Sequence, residues 1–183
     1  LQADLNTQGA RVSDQLLQAV ESSFGGDSSV AQKVVESDEV IDKADVEIER
    51  ACIELLRIGA NDEHGIRSVL TIVKVNNELE RIADCAVNVA ESAIKSEKLV
   101  SLAPPTFRVM ANSVVGMARD TNQALAEADT EMAVRVLSFD DTVSRFRKEI
   151  VLDVQHRTSN GDLDPLVAFE LLAVTRSLER IAD

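Results

Sequence analysis

Apolar side chains recur along this chain every three to four residues, the spacing that lines one face of an α-helix. Leu5, Val12, Leu16, Ala19, Val20 and Phe24 predict a first helix over Asp4–Phe24, stopped by Gly25-Gly26. Asp27 is placed to cap a second helix running to Ile58, with Val30, Val34, Ile41, Ile48, Cys52 and Leu55 on one face. A turn over Gly59–Asp62 leads to a third helix, Glu63–Leu99, carried by Ile66, Val69, Val73, Leu79, Ala83, Val87, Ala90 and Ile94. Pro104-Pro105 then breaks the chain, and the same layout returns. It gives helices over Thr106–Glu127 and Thr130–His156, a polar turn at Thr158-Ser159-Asn160-Gly161, and a sixth helix opened by Asp164 and Pro165 that is still running at Asp183. No strand is expected.

The return can be checked letter by letter. Leu79-Glu80-Arg81-Ile82-Ala83-Asp84 is identical to Leu178-Glu179-Arg180-Ile181-Ala182-Asp183, 99 residues later. One helix earlier, Asp38, Ile41, Glu47 and Ile48 match Asp140, Val143, Glu149 and Ile150 at an offset of 102, as a turn three residues shorter in the second copy requires. Long helices joined by short turns pack as antiparallel neighbours. The expected fold is therefore all-α, two tandem pseudo-symmetric three-helix bundles over residues 1–100 and 101–183, with the last helix incomplete.

Composition agrees with helix-on-helix packing. Of 183 residues 45% are apolar but only 3% aromatic, with no Trp and no Tyr, so Leu, Val, Ile and Ala must fill the core. The net charge of −13 narrows the partners, because an acidic surface repels nucleic-acid phosphates and anionic lipid and favours metal ions or basic protein surfaces. No stretch reaches the roughly 18 consecutive apolar residues of a membrane span. Cys52 and Cys85 lie inside helical patterns, which suits reduced thiols in a cytoplasmic protein, and Cys85 is read as a packing or interface residue. The chain starts at Leu1 and not at Met, so an upstream segment is expected.

Candidate chemistry lies in where the carboxylates fall. With about 100° per residue, Glu80, Asp84 and Glu91 sit about 100–140° round the third helix from Leu79, in a column beside the apolar face. On the second helix Asp38, Asp42, Asp45 and Glu49 share one side at i, i+4, i+7 and i+11, with no lysine among them. Like charges four apart destabilise a helix by a few tenths of a kcal/mol each. Two readings stand: a solvated face screened by salt, or an oxygen-rich shell for a hard cation, with Glu80 and Asp84 sharing a groove with Asp38 and Asp42. His64 and His156 lie in or near turns and form no Glu-x-x-His pair, so a ferritin-like di-iron centre is not expected. Asn76 and Asn77 are polar interruptions suited to hydrogen bonds between helices. There is no Gly-rich phosphate loop, no Ser-His-Asp order and no Cys-x-x-Cys.

These motifs carry a family resemblance that spans essentially the whole chain. Leu79–Asp84, followed by Cys85-Ala86-Val87-Asn88-Val89-Ala90-Glu91, resembles the motif of the PhoU family of phosphate-signalling regulators. Its second copy is Leu178–Asp183, and Ser37-Asp38-Glu39-Val40-Ile41-Asp42 resembles the family's acidic element one helix earlier. The resemblance implies a non-enzymatic cytoplasmic regulator that joins a phosphate ABC transporter ATPase to a sensor histidine kinase. It further implies metal ions (iron, zinc, magnesium or another divalent ion) on Asp38, Asp42, Glu80 and Asp84 in the first repeat and on Asp140, Glu179 and Asp183 in the second. A homo-oligomer is compatible with it. Three departures bear on this. Cys85 stands where the family usually has His; Ser144 and Arg147 break the second acidic column; and the sixth helix stops at Asp183. The second site is accordingly expected to be weaker than the first. Two other readings are a PhoU-like domain cut from a larger phosphate transporter and, with little to support it, a metal-dependent enzyme.

Overall fold

The computed structural model of the chain describes residues 1–59, 62–95 and 99–183. Among them there are helices and connections and no strand. The order is α1 (Gln2–Gly25), α2 (Ser28–Arg57), α3 (Glu63–Lys95), α4 (Leu99–Leu102), α5 (Pro105–Glu127), α6 (Thr130–Leu137), α7 (Asp140–Ser159) and α8 (Pro165–Ala182). All six predicted helices are present. The expected segments at 60–61 and 96–98 lie outside the described residues.

The first bundle is α1, α2 and α3, each packed on the other two, and the second is α5, α6–α7 and α8. They join where α1 meets α5 and where α3 meets α8. The core does not divide along the repeats. Its larger cluster runs from Leu16, Val34, Ala86 and Val89 in the first bundle to Phe107, Ile150, Leu171 and Leu178 in the second. A smaller one, with Leu5, Ile41, Ile48, Cys52, Val69 and Leu79, fills the far end of the first bundle. Full burial of each large aliphatic side chain is worth about 1.5–3 kcal/mol. Ile66 and Ile94, part of the apolar spacing that predicts α3, are about 40% exposed. Both lie near the ends of α3, and Ile66 stands about 140° round from Leu79.

Two pseudo-equivalent turns show how the chain reverses. At the end of α1, Gly26 takes a left-handed conformation (φ 66°), and the Asp27 N–H reaches back to the Ser22 carbonyl at 3.1 Å. The Asp27 carboxylate then accepts from the Ser29 and Val30 N–H groups and caps α2. In the second repeat, 102 residues on, Ala128 takes the left-handed position (φ 54°) and Asp129 caps α6. Glycine populates this region freely, whereas a Cβ there is strained.

The fifth predicted helix is not continuous. It breaks at Ser138-Phe139 into α6 and α7. The Ser138 hydroxyl donates to the Arg135 carbonyl at 2.6 Å, and the Phe139 N–H bonds three residues back to Val136. A hydroxyl competing for the backbone interrupts a helix, and here packing does not oppose it. The corresponding part of α2 is anchored by fully buried Ala31 and Val34, while α6 buries no residue. A hollow of about 710 Å³ lies against α6, lined by Leu125, Ala133, Val136 and Leu137.

Ala128→Gly is expected to stabilise the fold by about 1 kcal/mol, because it relieves the left-handed strain at that turn. Chemical denaturation measures it. No change, or a loss, would mean that the turn is not strained.

Candidate functional site

α2 and α3 pack side by side, and this sets the flank of one against the flank of the other. Asp38, Asp45 and Glu80 are half-buried on these flanks; Asp42 and Asp84 are exposed beside them. Their charges act on one another across the two helices. Burial pushes the Glu80 carboxyl above its ordinary range, and Asp84, Asp45, Asp42 and Asp38 push the same way. The Asp38 carboxyl is raised first by burial, against the Gln15 hydrogen bond, and then by Asp42 and Asp84. Asp45 is raised by burial and by Glu49 and Asp42. Asp38, Asp42, Asp45, Glu80 and Asp84 thus act on one another electrostatically.

None of these five carboxylates, nor Glu49, has an ion-pair partner among the described residues. Of the other acids on α2 and α3, Glu39 pairs with Lys43, Glu54 with Arg57, Glu63 with Arg67 and Glu78 with Arg81, while Glu36 and Glu47 have no ion pair among the described residues. Glu91, expected in the same column as Glu80, pairs with Lys95 at 3.3 Å.

Buried amides support the group from behind. The Gln15 Nε2 donates to the Val34 carbonyl at 3.3 Å and to Asp38 Oδ1 at 3.2 Å. The Asn76 Nδ2 donates to the Asp45 carboxylate at 2.6 Å and to the Asp45 carbonyl at 3.2 Å. Gln8, two turns from Gln15, donates to the Ile41 carbonyl at 2.8 Å. All three side chains are at most 4% exposed, and the oxygens of their amides have no hydrogen-bond partner. The expectation for Asn76 is met, while Asn77 is exposed. Gln8 and Gln15 escaped the sequence reading. Their signal was two glutamines seven apart on the apolar face that carries Leu5, Val12, Leu16 and Ala19.

The second repeat differs at each of these points. Asp140 opens α7, where an acid complements the helix dipole. Glu179 is half-buried and receives Arg147 Nε at 2.9 Å. Asp140 and Asp183 border a cavity of about 590 Å³ at the junction of the repeats, together with Leu79, Ile82, Asn122 and Arg180. In that junction Asn122 of α5 donates to the Gly9 carbonyl of α1 at 2.7 Å and to the Ser13 hydroxyl at 2.6 Å. A Cβ at Gly9 would lie 2.4 Å from the Asn122 oxygen, so glycine permits this contact.

Oxygen donors without a neighbouring cation suit a hard divalent ion, and the first face has that chemistry. A guanidinium within the donor set does not, and the second face contains one. As the side chains stand, no three His, Cys, Asp or Glu among the described residues converge on one point to hold an ion. His64 and His156 are exposed. Cys52 and Cys85 are buried free thiols, and burial pushes both above the ordinary thiol range, which makes them packing residues and poor thiolates.

Known proteins share this architecture. Among curated relatives, the phosphate-specific transport system accessory protein PhoU homolog 1 of Thermotoga maritima is 30% identical over 185 residues, which covers 100% of this chain and 80% of that protein. The accessory protein PhoU of Escherichia coli is 27% identical over 186 residues, covering 100% and 76%. The crystal structure of PhoU from Pseudomonas aeruginosa superposes with a TM-score of 0.91 at 28% identity, over 99% of this chain and 88% of that one. The family model of the PhoU domain matches twice, over residues 5–93 and 107–183. With two copies of that domain covering nearly all its length, the chain belongs to the PhoU family.

Proposed function

We propose that this chain is a phosphate-transport accessory protein: a non-enzymatic cytoplasmic regulator that couples a phosphate ABC transporter ATPase to a sensor histidine kinase, with divalent metal ions held on the acidic face of its first repeat. The observation that carries the regulatory part is similarity along the entire chain to proteins named as phosphate-specific transport accessory proteins. No helix among the described residues is long and apolar enough to cross a membrane, so contact with a transporter would be made through protein surfaces. Deleting the gene is expected to switch on phosphate-starvation genes in phosphate-replete medium. Starvation reporters that stay silent in the deletion strain would sink this reading.

The metal part is supported by the donor chemistry of the first face. Asp38, Asp42, Glu80 and Asp84 would hold the ion, and Gln15 and Asn76 orient Asp38 and Asp45 from inside the bundle. When bound, a divalent cation would supply the positive charge that this face lacks. Glu80→Ala with Asp84→Ala is expected to abolish most Mn²⁺ binding in a calorimetric titration, while Glu179→Ala with Asp183→Ala abolishes little. Equal losses would overturn the asymmetry between the faces.

The same face predicts a pH dependence in chelator. Asp38, Asp45 and Glu80 have folded pKa values above their unfolded ones, so the folded chain binds more protons. Their contribution to stability therefore falls as pH rises from about 4 through the carboxylate range. A variant carrying Asp38→Asn, Asp45→Asn and Glu80→Gln should be more stable than the native chain at pH 7, with the difference closing on acidification. Thermal melts at several pH values measure it, and a difference that grows on acidification would contradict the electrostatic account.

A further inference from the structure

The two repeats can be compared position by position. α1 and α5, and likewise α2 and α7, correspond at an offset of 102, and α3 and α8 at 99. On this register the buried amides Gln8 and Gln15 become Met110 and Met117, also buried but apolar. Asn76 becomes Thr175, whose hydroxyl turns back to its own helix at the Leu171 carbonyl, 2.7 Å away. Asp42 becomes Ser144, and Asp45 becomes Arg147. Asp38, Glu80 and Asp84 keep acidic counterparts in Asp140, Glu179 and Asp183, whereas the supporting amides and the acids Asp42 and Asp45 are replaced.

Asp45 and Arg147 carry the argument furthest. In the first repeat Asp45 acts on Glu80 by repulsion. At the equivalent pair in the second repeat, Arg147 and Glu179 are bonded at 2.9 Å. The same two places face each other in both bundles, and only the sign of one charge differs. An arginine guanidinium stays charged at any working pH and binds a carboxylate through directed N–H groups. It also repels a divalent ion from the carboxylates around it.

We propose that Arg147 is the built-in counter-cation of the second repeat, a tethered guanidinium occupying the charge position that a divalent ion takes in the first. The second face is then neutralised by the chain itself and closed to metal. This rests on the reading of the first face as metal-binding, and the test separates the two. The full chain is titrated with Mn²⁺, bound ion being counted by electron paramagnetic resonance and thermal midpoints recorded with and without the ion. In the Glu80→Ala, Asp84→Ala background, adding Arg147→Asp should tighten Mn²⁺ binding by about tenfold or more and make the midpoint rise with Mn²⁺. Both gains should vanish on Glu179→Ala. If Arg147→Asp lowers helix content by circular dichroism, Arg147→Gln, neutral and of similar reach, is used instead and should give a smaller gain of the same sign. Native binding with no gain from either Arg147 variant overturns the proposal and leaves the first-face reading intact. A gain at Arg147 without binding by the native chain overturns the first-face reading and leaves Arg147 as the residue that excludes metal from the second. No binding by any variant overturns both.

Discussion

Helices here must approach closely, because the chain has little bulk with which to hold them apart. There are five Phe and neither Trp nor Tyr, and the buried set is dominated by Val, Leu, Ala and Ile. Small and aliphatic side chains fill a core only when backbones lie near one another. That proximity decides what polar side chains can do. From α1, Gln8 and Gln15 reach the carbonyls of α2 directly; from α3, Asn76 reaches another. Asn122 closes on Gly9 with no room for a Cβ. Close helix approach also sets the α2 and α3 flanks side by side, so that carboxylates on each feel those on the other.

The first repeat gives up stability in doing so. A charge-free flank would avoid the mutual repulsion of five acids, and an apolar core would avoid three amide oxygens left without partners. The second repeat shows the cheaper solution within the same protein: methionines at the two glutamine positions, a threonine bonded to its own helix, and a carboxylate matched by an arginine. Two copies of one motif have thus diverged at their flanks while keeping a common core.

Much of this was legible in the sequence because it depends on periodicity. Six helices, their caps at Asp27 and Asp164, the internal repeat and the acidic column on each of α2 and α3 all follow from spacing along a helix of known pitch. What escaped depends on neighbours distant in sequence. The pairing of Arg147 with Glu179 needs the crossing of α7 and α8, although the arginine itself was visible. Gln15 looks like any interruption of an apolar stripe until α2 is placed beside it. The break at Ser138-Phe139 was hidden because Val134, Leu137 and Phe139 continue an apolar pattern, and only the structure reveals that they are exposed.

That break gives the molecule an uneven distribution of local stability. α6 is eight residues long, buries no side chain, follows a left-handed alanine and adjoins a hollow. Its packing is mainly against α5, with Val136 partly buried and Asp129 as its cap, so opening it exposes less apolar surface and costs less than unfolding the whole chain. Amide hydrogens of residues 130–137 would exchange with solvent through this local opening, while those in the middle of α1 and α3 wait for global unfolding. Local opening is thus expected to begin at α6, the helix of the second bundle that buries no side chain.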